Sequence, residues 1–194
     1  MVTVMFVDIV GFSTAATKRT PEKVFSELQT ILTGLTRTIE AHGGNVDEVL
    51  GDGLLCYFSG NSKSGIKGNH AERALLCAAE IQRANAQKNL EDAAKKRGVF
   101  ALRIGINTTK AYMGWVHAGR SSELALIGPG VNSAKRLEMD CEPYLMLAGS
   151  ETREFLATSE LGGFRLQKRL VPTKYSSELT DAYECNPFWA WDLS

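Results

Sequence analysis

The chain has 194 residues, 44% hydrophobic and 23% charged, which is the composition of a folded globular protein and long enough for one sizeable core. Its 22 Lys and Arg balance 22 Asp and Glu, so it lacks the basic excess of a general nucleic-acid or anionic-membrane binder. No run approaches the ~20 apolar residues of a membrane span. The first residues run straight into strand-forming sequence with no leader pattern, and Cys56, Cys77, Cys141 and Cys185 form no CxxC pair, so the chain reads as cytoplasmic with reduced, buried thiols. His42, His70 and His117 are scattered and suit capping or solvated roles better than zinc.

In chain order, residues 2–7 are β-rich and apolar on both faces, the pattern of a central strand. Gly11-Phe12-Ser13 follows as a turn at the start of a helix. Pro21 suits a first helical position, and Phe25, Leu28, Ile31, Leu32, Leu35 and Ile39 recur at helical spacing up to Gly43-Gly44. Residues 45–50 and 54–58 read as two strands around Gly51-Asp52-Gly53, because an Asp-Gly turn between apolar runs is a hairpin signal. Residues 59–68 are Gly-, Ser- and Lys-rich and read as a mobile loop, and 69–96 as a second long helix. A strand over 100–106, a strand pair over 112–116 and 123–127, a short helix over 131–139, and late strands over 144–148, 164–170 and 182–185 complete the reading. The aromatic stretch Phe188-Trp189-Ala190-Trp191 follows. No repeat or linker divides the chain, so a single domain over 1–194 is expected.

Two acidic turns single themselves out. Phe6-Val7-Asp8-Ile9-Val10-Gly11-Phe12-Ser13 and Gly51-Asp52-Gly53 each put one Asp at the end of a strand-forming run. Taken singly, Asp8 reads as a helix cap and Asp52 as a hairpin residue. Held together, two carboxylates make a hard-oxygen site for Mg²⁺ or Mn²⁺, the ions that accompany nucleotide phosphates. Gly128-Pro129-Gly130-Val131-Asn132-Ser133-Ala134-Lys135-Arg136-Leu137-Glu138 adds an Asn and an Arg at i, i+4, which share one helix face.

These pieces, with Leu102-Arg103-Ile104-Gly105-Ile106-Asn107, resemble the class III nucleotidyl cyclases, the family of adenylyl and guanylyl cyclase catalytic domains. The resemblance runs from about residue 3 to 185. It implies an α/β (α+β) fold with a ferredoxin-like mixed sheet flanked by helices, and a homodimer with active sites shared across its interface. It also implies two divalent cations and attack of a ribose 3′-oxygen on the α-phosphate of a nucleoside triphosphate, giving a 3′,5′-cyclic nucleotide and pyrophosphate. By this resemblance Asp8, Asp52 and the Ile9 carbonyl bind metal; the turn amides of Gly11, Phe12 and Ser13 and the side chain of Arg103 bind phosphate. Asn132 orients the ribose and Arg136 stabilises charge on the α-phosphate. Lys174 matches a late lysine for the terminal phosphates, although Tyr175 stands where a Gly is usual, and Lys168 competes for the role.

Base choice rests on Glu48 and Ala125. Glu48 is the guanylyl-type residue, since a carboxylate accepts from guanine N1 and N2 hydrogens. Ala125 offers no side-chain hydrogen bond. Thr109 and Pro129-Gly130 also depart from the common pattern. Guanine is therefore expected first, then a pyrimidine, as in small bacterial members that make cyclic UMP or CMP in phage defence, then adenine. A non-catalytic cyclase-homology domain used for dimerisation is the main rival. A diguanylate cyclase is disfavoured because its Gly-Gly-Asp/Glu-Glu-Phe turn is absent.

Overall fold

β1 (Val2–Ile9) is apolar on both faces because it lies inside a sheet, antiparallel to β3 (Gly53–Ser59) on one side and to β4 (Leu102–Thr109) on the other. With β2 (Asn45–Leu50), β7 (Met146–Gly149), β9 (Leu179–Cys185) and β8 (Gln167–Pro172), the order is β2-β3-β1-β4-β7-β9-β8. Among the described residues β4 and β7 are the parallel pair. The structure, a computed structural model, describes residues 1–17, 19–60, 68–118, 121–157, 165–172 and 179–188.

α2 (Pro21–Ala41) and α3 (His70–Ala94) bury Leu35, Ile39, Leu75 and Ala78 against one sheet face, together with Met5, Val7 and Ile9 of β1. The order β1-α2-β2-β3-α3-β4, with strands arranged β2-β3-β1-β4, is the ferredoxin-like unit. The opposite face takes α4 (Val131–Asp140), whose Val131 and Ala134 pack with Val4, Phe6, Leu55 and Leu126. α1 (Phe12–Ala16) is a short turn after β1, and β5 (Tyr112–Ala118) pairs with β6 (Ser121–Ile127) as a separate hairpin.

Local sequence explains the element ends. Pro21 opens α2, and Gly43, at φ 69, turns the chain out of it. Asn69 caps α3: its side chain accepts from the Ala71 and Glu72 amides while Glu72 accepts from the Asn69 amide.

Several expectations need correction. Phe25, assigned to the apolar stripe of α2, is 69% exposed. The strand expected over 100–106 begins at Leu102, because Phe100 packs on Phe12 and its carbonyl accepts from the Asn85 and Asn89 side chains. Tyr144 sits at φ 66 and its amide donates to the Leu102 carbonyl, so β7 starts at Met146. α5 (Ser150–Ala157) was not expected. Most of the loop expected over 59–68, and the aromatic tail beyond Phe188, lie outside the described residues. The four cysteines are buried and free, and burial pushes the Cys141 and Cys185 thiols up to about 12. Among the described residues no helix is long and apolar enough to cross a membrane.

Candidate active site

The antiparallel register of β1 and β3 places Asp8 opposite Gly53, the residue after Asp52. Asp8 and Asp52 therefore come from adjoining strand ends, on one side of the sheet's strand termini. Gly51 turns the hairpin at φ 64, a conformation that favours glycine. A Cβ on Gly53 would lie 2.6 Å from the Val7 carbonyl and 3.3 Å from Asp8 Oδ1, so the second glycine lets the hairpin close against Asp8. Ile9 buries its side chain in the core, which leaves its carbonyl as the group it can offer. Phe12 is likewise a core residue, packed at a tilt against Phe100 with ring centroids 5.4 Å apart, so at Gly11-Phe12-Ser13 only the amides and the Ser13 hydroxyl face outward chemistry.

β4 brings Arg103 opposite Asp8. Arg103 donates to Asp8 Oδ2 from Nε at 3.1 Å and from Nη2 at 2.9 Å. The same Nε is 2.6 Å from Oε1 of Glu138, a residue with no exposed surface, and Lys135 pairs with the other Glu138 oxygen. Burial pushes the Glu138 carboxyl above its ordinary value, against the opposing pull of Lys135 and Arg103. Lys135 also stands over the Phe6 ring, 5.7 Å from its centroid.

α4 can approach the sheet this closely because Gly105 lies beneath it; a Cβ there would meet the backbone of Ala134 and Glu138. The helix then presents two working sides. Lys135 and Glu138 point to Phe6 and Arg103. Arg136 instead lines a cavity of about 310 Å³ with Asn107, Thr109, Ser133, Glu151 and Asp181. Asn132, one turn earlier, is exposed. The expected Asn/Arg face therefore exists, but one protomer does not turn it onto the Asp8 carboxylate.

Glu48 lies opposite Leu55 after a bulge in β2 between Val46 and Glu48, and it is exposed. The bulged Asp47 accepts from the Leu126 amide, and burial raises its carboxyl despite that bond. This contact ties β2 to β6, where the half-buried Ala125 is the neighbouring residue. Lys174 lies outside the described residues; Lys168 is engaged, 2.7 Å from Asp181 on the adjoining strand.

The structure thus pairs Asp8 with Arg103, places Asp52 in the turn beside Asp8's register partner Gly53, links the strands of Glu48 and Ala125 through Asp47 and Leu126, and sets Asn132 and Arg136 apart. Sequence reasoning missed Glu138 as a partner of Arg103. The signal available was its i, i+3 spacing from Lys135.

The mixed sheet thus carries acidic residues at the end of β1 and at the β2–β3 turn, with the Asn132/Arg136 helix turned elsewhere. The family model described as the adenylate and guanylate cyclase catalytic domain matches residues 1–175, and the chain belongs to that family. It is 31% identical over 137 residues to adenylate cyclase 1 of Rhizobium meliloti (strain 1021), covering 71% of this chain and 20% of that protein. It is 30% identical over 157 residues to the receptor-type guanylate cyclase gcy-23 of Caenorhabditis elegans, covering 80% of this chain and 14% of that protein. The chain therefore spans a small fraction of the length of these relatives. Among solved structures, the adenylyl cyclase CyaB from P. aeruginosa superposes with a TM-score of 0.82 at 22% identity, over 95% of this chain and 92% of that one, a likeness of fold.

Proposed function

We propose that this chain is the catalytic part of a nucleotidyl cyclase that converts a nucleoside triphosphate to a 3′,5′-cyclic nucleotide and pyrophosphate. The observation that supports this most is the β1–β3 register, which puts Asp8 opposite the residue after Asp52 at adjoining strand ends, with Arg103 on Asp8. Among the described residues no group of three or more His, Cys, Asp or Glu could hold a metal ion. Two carboxylates and the Ile9 carbonyl nonetheless fit hard divalent cations that take their remaining oxygens from a triphosphate. Such ions, Mg²⁺ or Mn²⁺, lower the pKa of a bound hydroxyl and neutralise phosphate charge.

The chain's own residues divide the remaining work. The amides of Gly11, Phe12 and Ser13 donate to phosphate oxygens. Arg103, freed from Asp8, and Lys174 neutralise the polyphosphate. Asn132 orients the ribose, and Arg136 stabilises charge growing on the α-phosphate. Since Arg136 faces a cavity away from Asp8 in one protomer, the reading that fits is a homodimer in which each site takes the carboxylates from one copy and Asn132, Arg136 and Glu48 from the other. The β5–β6 hairpin supports it: Tyr112 is 79%, its cross-strand partner Ile127 59% and Val116 43% exposed on one face of a ribbon outside the main sheet, an apolar surface that a second copy would cover.

Glu48 favours guanine, as the acceptor for its N1 and N2 hydrogens. The second reading is a pyrimidine, favoured by Ala125, which leaves one side of the base pocket without a side-chain partner; adenine comes third. The test is to incubate the purified chain separately with ATP, GTP, UTP and CTP plus Mn²⁺ and identify products by mass. Cyclic GMP is expected, and Asp52→Ala should abolish it while the dimer stays folded. Cyclic UMP or CMP would overturn guanine, and no cyclic product from a confirmed dimer would overturn the cyclase reading itself.

A further inference from the structure

The carboxylate assigned to metal is already occupied. Asp8 is 15% exposed and holds the Arg103 guanidinium through two donors, while Arg103 simultaneously lies 2.6 Å from Glu138. Glu138 is sealed between α4 and the sheet, with Lys135 as its second cation. One guanidinium is thus shared between a carboxylate at a strand end and another between helix and sheet. The four charges cancel, two of each sign. Burying a carboxylate is costly, and Asp8 alone already partners Arg103, so keeping Arg103 in place does not require Glu138.

Both Arg103 donors sit on Oδ2, so a divalent cation on either Asp8 oxygen would lie a few ångströms from the guanidinium and repel it strongly in a partly desolvated site. Arg103 has to leave Asp8 when metal arrives. Glu138 gives it somewhere to go without crossing into solvent. We infer that Glu138 is a positioning residue that competes with Asp8 for Arg103, so that a divalent cation reaching Asp8 transfers the guanidinium onto Glu138 and leaves it poised beside the metal for an anionic triphosphate. The network is an exchange of counter-ions: Arg103 neutralises Asp8 in the empty site and phosphate in the filled one. The inference rests on the reading of Asp8 as a metal ligand and adds what controls metal entry.

The experiment is Mn²⁺ binding to the full chain without nucleotide, followed by the paramagnetic resonance of free Mn²⁺, with circular dichroism to confirm folding of each variant. Wild type should bind and Asp8→Asn should not; absence of binding by wild type would overturn the metal reading of Asp8, and this inference with it. Glu138→Gln should weaken Mn²⁺ binding roughly three- to tenfold, because Arg103 then belongs to Asp8 alone. Arg103→Ala should tighten it, and adding Glu138→Gln to Arg103→Ala should change nothing further. If wild type binds and Asp8→Asn does not, yet Glu138→Gln binds like wild type, the inference fails while the metal reading stands. It fails equally if Glu138→Gln weakens binding as much in the Arg103→Ala background, since Glu138 would then be attracting the cation directly. Should Glu138→Gln not fold, Glu138→Asp keeps the charge but shortens its reach to Arg103. It should give the same weakening, and wild-type affinity would overturn the inference.

Discussion

Gly105→Ala tests how the site is assembled. Gly105 sits on β4 directly beneath α4, and a Cβ there would lie 2.7 Å from Glu138 Cα and closer still to the Glu138 amide nitrogen and the Ala134 carbonyl. All three are helix backbone, so no side chain can swing aside. Carbon atoms settle at about 3.5–4.0 Å, which requires α4 to retreat by roughly 1 Å. Overpacking of this kind costs about 1–3 kcal/mol, and for a chain of this size each kcal/mol lowers Tm by about 2–4 °C. The effect on function should exceed the effect on stability. α4 carries Asn132, Arg136 and Glu138 together, and a misplacement of about 1 Å can lower turnover by a factor of about 100. Thermal unfolding and initial rates measured on the same preparations decide it. Gly105→Ala unfolding at the wild-type temperature, with a rate within about twofold of wild type, would refute the close docking of α4 as the element that positions the site.

Three other expectations follow from the same geometry. Asp8→Ala and Arg136→Ala proteins, each inactive, should recover part of the activity when mixed, because each heterodimer has one site with both groups; no recovery between dimers shown to exchange would contradict the shared site. Tyr112→Glu with Ile127→Glu should shift the chain toward monomer in sedimentation and lower its specific activity most at low protein concentration, whereas an unchanged dimer would remove the hairpin from the interface. The last concerns pH. Burial first, then the chain's amino terminus and Arg73, hold the His70 imidazole below its ordinary value of 6.5, and its Nδ1 lies 2.8 Å from Thr3 Oγ1. The folded chain binds this proton less readily than the unfolded one, so the contribution to stability is present above the unfolded value and is lost as pH falls through 6.5 toward the folded one. Urea unfolding should show stability dropping in that window and His70→Asn should flatten the drop; parallel curves for the two proteins would show that another group is responsible.

What could be read from sequence was local. The double-sided apolar run of β1, Pro21 at the head of α2 and the Gly51-Asp52-Gly53 turn each act within a few residues of themselves, and each appears where expected. That Asp8 ends a strand and Asp52 sits in a hairpin turn was legible because both positions are marked by the residues immediately around them. Phe25 misled because helical spacing defines a face but not whether anything covers it. Tyr144 and Phe100 misled because their backbone partners, Leu102 and the Asn85/Asn89 pair, come from distant sequence.

The sequence by itself determined which acidic and basic residues stand at strand ends and turns, since strand runs, caps and turns are short-range properties of the chain. Only the tertiary structure decided which of those charges meet. Asp8 and Arg103 are 95 positions apart, and their contact exists because antiparallel register aligns β1 with β4. Glu138 joins them because a glycine on β4 lets a helix backbone come within contact of the sheet. Arg136 is turned away from Asp8 by the same docking. Register and helix docking are set by the summed packing of many distant side chains, so no local pattern encodes them.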